Sequence, residues 1–376
     1  MNISSAFDSG NILVKDASDP SNVRLEINKD NDSDFYQWFY FRVTGERGAE
    51  IRLIIENAGG AAYPLGWDNY NAVVSYDLME WTRVPTSYDG TALTIETKLS
   101  RDSVYIAYFA PYPSDRHAQL VAGAQGSGAA RLSILGQTLD GRDMDLLTIG
   151  QPDEGKPNLW ITARQHPGET MAEWWMEGFL ERLLDLTDEM AMKLREQAVL
   201  HIVPNMNPDG SARGHLRTNA AGVNLNREWQ TPTMEKSPEV YLVLEEMKKT
   251  GVDFALDVHG DEALPYNFIA GTEGIPSWTE TQAALLNGFK HAYVSSSGGE
   301  FQTKHGYPVN KPGNANLNIC SNALAERFDC LAMTLEMPFK DNAELPDERV
   351  GWSPLRSKRL GANVIEAILT VLPDLK

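Results

Sequence analysis

Asn158-Leu-Trp-Ile-Thr-Ala-Arg164 is an apolar run too short for a helix, and through Gln165 it leads into His166-Pro-Gly-Glu169 and then into a helical period. From Thr170 to Leu186, the residues Met171, Trp174, Trp175, Phe179, Leu183 and Leu186 recur at the three-and-four spacing of a buried helix face. A strand passing directly into a helix is the repeating unit of an α/β sheet. His166 falls at the carboxyl end of its strand, the edge where ligands collect in open α/β sheets. An imidazole and a carboxylate three residues apart can grip one metal ion, although His-x-x-Glu alone is a common match.

Outward from this stretch the chain shows two textures. From Val23 to about Pro111, short alternating runs rich in β-branched and aromatic residues predict six strands: 23–27, 35–43, 50–55, 72–76, 92–96 and 104–108. Gly, Asn and Asp clusters punctuate them, which is the pattern of an antiparallel sandwich. Its many aromatics, Trp38, Phe39 and Tyr40 among them, exceed what a small sandwich can bury alone, so some should pack on the rest of the chain. After Ser114, strand-like runs (145–149, 158–164, 198–203, 252–258, 331–335) alternate with helical periods (170–186, 238–249, 279–293, 354–372). That alternation predicts an α/β unit with a mixed sheet covered by helices on both faces. Pro111, Pro113 and Ser114 cluster at the junction, so the expected domains are residues 1–114 and 115–376.

At 376 residues, with 42% hydrophobic residues, the chain can bury a large core without covalent staples. Cys320 and Cys330 are too few for a disulfide framework and are expected as reduced, structural thiols. The first eight residues carry neither a basic nor an apolar leader region, and no stretch reaches about 18 uninterrupted apolar residues. A soluble, cytoplasmic protein is expected. The net charge of -19 argues against nucleic acid or an anionic membrane as partner.

A zinc site wants tetrahedral nitrogen, oxygen or sulfur ligands and, when catalytic, keeps one position for water. His166 and Glu169 supply two ligands. His259, which ends the run Phe254-Ala-Leu-Asp-Val-His259 and precedes Gly260, is the expected third. His201 lies inside a strand and reads as a core histidine, while His117, His215, His291 and His305 read as solvated. Glu336 ends the last apolar strand, where an unneeded carboxylate would be costly, and is the expected general base. Between these ligands lie Asn205-Met-Asn-Pro-Asp-Gly210, Arg213, Arg217 and Gly222-Val-Asn-Leu-Asn226-Arg227. Their guanidinium forks are candidate clamps for a substrate carboxylate.

His166-Pro-Gly-Glu169, Asn207-Pro-Asp-Gly210 with Arg217 seven residues on, Asn224-Leu-Asn226-Arg227, Asp257-Val-His259-Gly260 and Thr334-Leu-Glu336-Met-Pro-Phe339 together resemble the zinc carboxypeptidases, and specifically their cytosolic carboxypeptidase subfamily. Tyr36-Gln-Trp-Phe-Tyr-Phe-Arg-Val43 and Phe109-Ala-Pro-Tyr-Pro113 resemble the β-sandwich domain that this subfamily places before its carboxypeptidase-type catalytic domain. The resemblance implies His166, Glu169 and His259 on one Zn²⁺, with Glu336 as general base and then acid. It also implies Arg217 polarising the scissile carbonyl and Asn226 with Arg227 holding the terminal carboxylate of a peptide or protein tail.

The sequence departs from the family in two places. The tyrosine that covers substrate in the digestive relatives has no counterpart in Lys311-Pro-Gly-Asn-Ala-Asn316, which leaves Tyr307 and Tyr266 as candidates. Relatives that trim glutamate tails usually carry a basic side chain nearby, whereas Gly313-Asn-Ala-Asn316 offers amides and Arg327 is the nearest guanidinium, so the residue preference stays open. A zinc amidohydrolase of the desuccinylase and aspartoacylase type shares the ligand grip, and a zinc-stabilised peptide-binding module would need no base at Glu336. Both remain alternatives at the level of sequence.

Overall fold

The computed structural model describes residues 1–152 and 155–375. Ten strands come first: β1 (Asn2–Ser4), β2 (Leu13–Asp16), β3 (Val23–Glu26), β4 (Tyr40–Thr44), β5 (Glu50–Ile55), β6 (Val73–Ser75), β7 (Thr82–Arg83), β8 (Thr86–Tyr88), β9 (Leu93–Lys98) and β10 (Ser103–Ala107). They form two five-stranded sheets, ordered β1-β4-β10-β6-β7 and β2-β3-β5-β9-β8. Alternation in the sequence becomes alternation in burial: Ile51, Leu53 and Ile55 of β5 face the core while Glu50 and Arg52 face water. One pair departs from the expected antiparallel pattern. β3 runs parallel to β5, because the intervening β4 crosses to the other sheet.

The run 35–43 is strand only from Tyr40. Before it, the buried Gln37 amide is engaged elsewhere, accepting from the Tyr63 N–H (2.8 Å) and donating to the Tyr63 carbonyl (3.0 Å) and the Tyr108 hydroxyl (3.1 Å). Such cross-chain bonds compete with a regular ladder.

From Ser114 the order is α1 (Ser114–Gly126), β11 (Ala130–Gln137), β12 (Asp143–Ile149), β13 (Asn158–Ala163), α2 (Met171–Leu183), α3 (Glu189–Gln197), β14 (Val199–Val203), α4 (Pro208–Arg213), α5 (Pro238–Thr250), β15 (Phe254–Asp261), β16 (Phe268–Ala270), α6 (Glu280–Ser296), α7 (Cys320–Phe328), β17 (Leu331–Pro338), α8 (Pro354–Ala362) and α9 (Val364–Val371). The strands make one mixed sheet, β11-β12-β14-β13-β15-β17-β16. Its centre is parallel (β14, β13, β15, β17) and its margins antiparallel.

Both faces are covered. Leu159, Ile161 and Ala163 of β13 pack into the core that holds α2, α6 and α9, whereas Trp160 packs with residues of α5 and α7 on the other face. This double burial explains why β13 reads as a continuous apolar run. Helix α2 lies so close to α8 that a Cβ on Gly178 would stand 2.0 Å from the Lys358 carbonyl, so only glycine fits. The single helix expected over 354–372 is broken at Asn363, where the Arg182 guanidinium takes the Ala362 carbonyl (2.9 Å) and the Ser296 hydroxyl takes that of Asn363 (2.8 Å). Cys320 and Cys330 are buried free thiols, as expected. Among the described residues no helix is long and apolar enough to cross a membrane.

Candidate active site

In the sheet, β14 lies on one side of β13 and β15 on the other, so the chain reverses its direction of progress at β13 and leaves a crevice at the carboxyl ends. The registers place Ala163 beside Val258 and His259 beside Glu336. After β13, Arg164 turns the chain in the left-handed region (φ 59°), a strained conformation for a non-glycine residue. It is held by buried bonds from Nη1 to the Tyr112 carbonyl (2.7 Å) and Glu173 Oε2 (2.6 Å), and from Nε to the Pro167 carbonyl (3.0 Å).

This turn brings His166 and Glu169 against His259. Nδ1 of His166 lies 2.6 Å from Glu169 Oε1 and 3.2 Å from Nδ1 of His259, which is 2.7 Å from Glu169 Oε2. Nε2 of each ring meets an oxygen, Asn224 Oδ1 at 3.1 Å for His166 and Asp257 Oδ2 at 2.8 Å for His259. Each acceptor fixes a proton on Nε2 and turns Nδ1 toward the shared point, the arrangement second-layer partners give to metal-ligating histidines. Two nitrogens and a carboxylate converging in a buried pocket suit zinc.

The titration of the cluster follows from its charges. Burial, with Arg217, pushes His166 down to about 4. Burial alone would raise Glu169, but the two imidazoles hold it well below the usual carboxylate range. Against burial, Asp257 and Glu169 hold a proton on His259 well above its ordinary range. A cation bound there would take that proton's place.

A cavity of about 500 Å³ opens onto the cluster. Glu336, 7% exposed, lines it, and its Oε2 has no hydrogen-bond partner among the described residues. Burial, aided by Glu169, Asp261 and Glu262 and opposed by His259, pushes its pKa well up, and a neighbouring cation would draw it back down. Arg217, Asn226 and Arg227 also line the cavity. Asn226 Oδ1 accepts the Cys320 N–H (2.8 Å), leaving its amide group as donor, and Arg227 Nη1 bonds the Asn226 carbonyl (2.5 Å). The Arg217 loop rests on the His166 turn, for the Gly168 N–H donates to the Leu216 carbonyl (2.8 Å). A Cβ on Gly168 would press on that carbonyl at 3.0 Å and on Leu216 Cα at 3.2 Å, which accounts for the glycine of the motif.

The sequence model of the cytosolic carboxypeptidase N-terminal domain matches residues 3–109, and that of zinc carboxypeptidase matches residues 121–343. The chain belongs to the zinc carboxypeptidase family. It is similar to the crystal structure of a metallo-carboxypeptidase from Burkholderia cenocepacia, at 49% identity and a TM-score of 0.96 over 99% of each chain. It is also similar to a metallo-carboxypeptidase from Pseudomonas aeruginosa in complex with (2-guanidinoethylmercapto)succinic acid, at 47% identity and a TM-score of 0.96 over 100% of this chain and 99% of that one. Mouse cytosolic carboxypeptidase 1 is 30% identical over 64% of this chain, which spans 23% of that protein's length. The protein is a metallocarboxypeptidase, a peptidase acting on peptide or protein substrates, and the deacylase and non-catalytic readings give way to this one.

The carboxypeptidase brings together the seven site residues singled out in the sequence: six line the cavity and His259 completes the ligand cluster. Arg213 is not among them, being paired with Asp140 (2.7 Å). Of the two tyrosines considered, Tyr307 lines the cavity with its hydroxyl on Asp261 (2.5 Å), whereas Tyr266 stacks on His305 (4.1 Å). Arg327 bonds the carbonyls of Trp229 and Gln230. The cavity is not lined by amides alone, because Lys290 of α6 reaches it together with Glu273; burial lowers the pKa of that lysine and Glu273 opposes the shift.

Two of the four histidines expected in solvent are not there. His117 sits between Glu173 (2.6 Å) and Asp145 (3.1 Å), and the buried His215 ring accepts the Asn31 N–H (3.1 Å). His117 is partly buried and His215 buried, each by partners distant in sequence. His201 is the core histidine expected, stacked on Trp160 at 4.7 Å. Sequence reasoning gave no role to Asp257, Asn224, Asp30, Tyr63 or Lys290. Asp257 alone had a legible signal, since two residues before His259 on a strand is the same face.

Proposed function

We propose that His166, Glu169 and His259 hold one Zn²⁺ per chain and that the enzyme removes carboxyl-terminal residues from peptides or protein tails. When bound there, zinc would supply Lewis acidity and lower the pKa of a coordinated water to about 7. Glu336 accepts the proton of the attacking water and later delivers it to the leaving amine. Arg217 polarises the scissile carbonyl and stabilises the charge that develops on its oxygen. Asn226 and Arg227 hold the terminal carboxylate, as a planar fork beside an amide is suited to do. The observation that carries this reading is the buried Glu336 Oε2, without a hydrogen-bond partner among the described residues, facing the same cavity as the ligand cluster and two guanidinium groups. A succinate-bearing ligand on the Pseudomonas relative supports a carboxylate subsite here.

The same reading assigns residues 1–114 to a β-sandwich domain and 115–376 to the catalytic domain, supported by family matches that fall on either side of that division. The acidic charge speaks against nucleic acid and anionic membranes as partners. The cytosolic naming of relatives and the two buried free thiols support a cytoplasmic location. Peptides with a free carboxyl terminus should be shortened one residue at a time, and amidated versions cut at least about 100-fold more slowly, a loss of roughly 2.7 kcal/mol in transition-state binding. Mass spectrometry of paired free and amidated peptides measures this. Equal cleavage of both would remove carboxypeptidase direction from the site.

A further inference from the structure

Arg217 is held in an unusual way for a partly buried guanidinium. Arg164 and Arg356 are buried against Glu173 and Glu300 (2.6 Å each), whereas Arg217 makes no ion pair within 4 Å among the described residues, and its buried Nε has no hydrogen-bond partner among them. Its guanidinium instead lies 5.6 Å from the Phe35 ring and 5.4 Å from the Tyr63 ring, both within cation–π range and both contributed by the amino-terminal sandwich. The backbone that carries it is fixed from the same side. Buried Asp30 accepts the N–H groups of Leu216 (2.7 Å), Arg217 (2.8 Å) and Thr218 (2.9 Å), and the Thr218 hydroxyl (3.1 Å). Gln37 in turn clamps Tyr63 through both its backbone N–H and its carbonyl.

A carboxylate partner would fix a guanidinium by occupying its donors and cancelling its charge. Aromatic faces fix it while leaving both intact for a substrate oxygen. We propose that Asp30, Phe35 and Tyr63 are positioning residues for Arg217, so that the sandwich is a working part of the active centre. The inference rests on the role given to Arg217 above.

The test is a double-mutant cycle on steady-state hydrolysis of a free-acid peptide, with zinc content and melting temperature measured on each variant. Tyr63→Leu should lower kcat about 10-fold, within the range of a desolvated cation–π contact, with KM moving less and zinc retained. Tyr63→Phe keeps the ring and should recover most of the lost rate. In an Arg217→Ala background the Tyr63→Leu change should cost little more, because the group it positions is gone. Phe35→Leu repeats the cycle should Tyr63→Leu fold poorly. Unchanged kcat in both ring variants, or losses that simply multiply with that of Arg217→Ala, would overturn the proposal. Near-normal kcat in Arg217→Ala itself would instead remove the role assigned to that arginine.

Discussion

Nε2 of His166 and of His259 is occupied by Asn224 and Asp257, so the orientation of both rings is set by the protein rather than by what they bind. Glu336 stands beside His259 in register, yet its Oε2 has no hydrogen-bond partner among the described residues, a costly state for a buried carboxylate unless chemistry uses it. Glu336→Gln preserves shape and removes proton acceptance. It should lower kcat on the order of 10²–10⁴-fold while leaving zinc stoichiometry and the fold intact. Near-normal kcat, read alongside metal analysis of the same sample, would make Glu336 structural and place the base elsewhere.

At the scale of elements, His117 ties helix α1 to helix α2 and strand β12 by bridging Glu173 and Asp145. Burial opposes its protonation, but Glu173 and Asp145 outweigh burial and raise its pKa to about 9. The folded protein therefore binds this proton more tightly than the unfolded chain, whose value lies near 6.5. The resulting stability is full below about pH 6.5 and is lost as pH rises through 9, an effect on the order of 3 kcal/mol for one such group. Urea unfolding at pH 6 and pH 10 should show that loss in the wild type and much less of it in His117→Gln. A difference as large in the variant would assign the pH dependence to other groups. The same bridge shows what the sequence could not display. The central strands and the candidate ligands at their ends were legible because double burial writes itself as continuous apolar runs. The start of β4, the break between α8 and α9, and the burial of His117 and His215 were not, since each depends on partners brought by the fold, such as Gln37 with Tyr63 and Arg182 with Ala362.

At the scale of the whole molecule, one continuous core runs through both halves of the chain. Trp38, Phe39 and Tyr40 are buried; within the sandwich Phe39 stacks on Trp67 and Tyr40 meets Trp81 edge-on. The junction is made by other aromatics: Tyr108 stacks on Phe339 at 4.5 Å, and Tyr112 meets Trp174 edge-on at 4.9 Å. The segment 110–112 also accepts Thr170 Oγ1, Trp174 Nε1 and Arg164 Nη1, so it braces the turn that presents His166 and Glu169. Asp30 braces the Arg217 loop at the other side of the cleft. Removing residues 1–114 would strip these supports and expose the apolar faces of Trp174 and Phe339 together. Residues 115–376 expressed alone should aggregate, and the full chain should unfold by calorimetry in a single transition. A soluble, monodisperse and active 115–376 fragment, or two resolved transitions in the full chain, would mean that the catalytic fold closes without the sandwich and that the contacts across the junction add little to its stability.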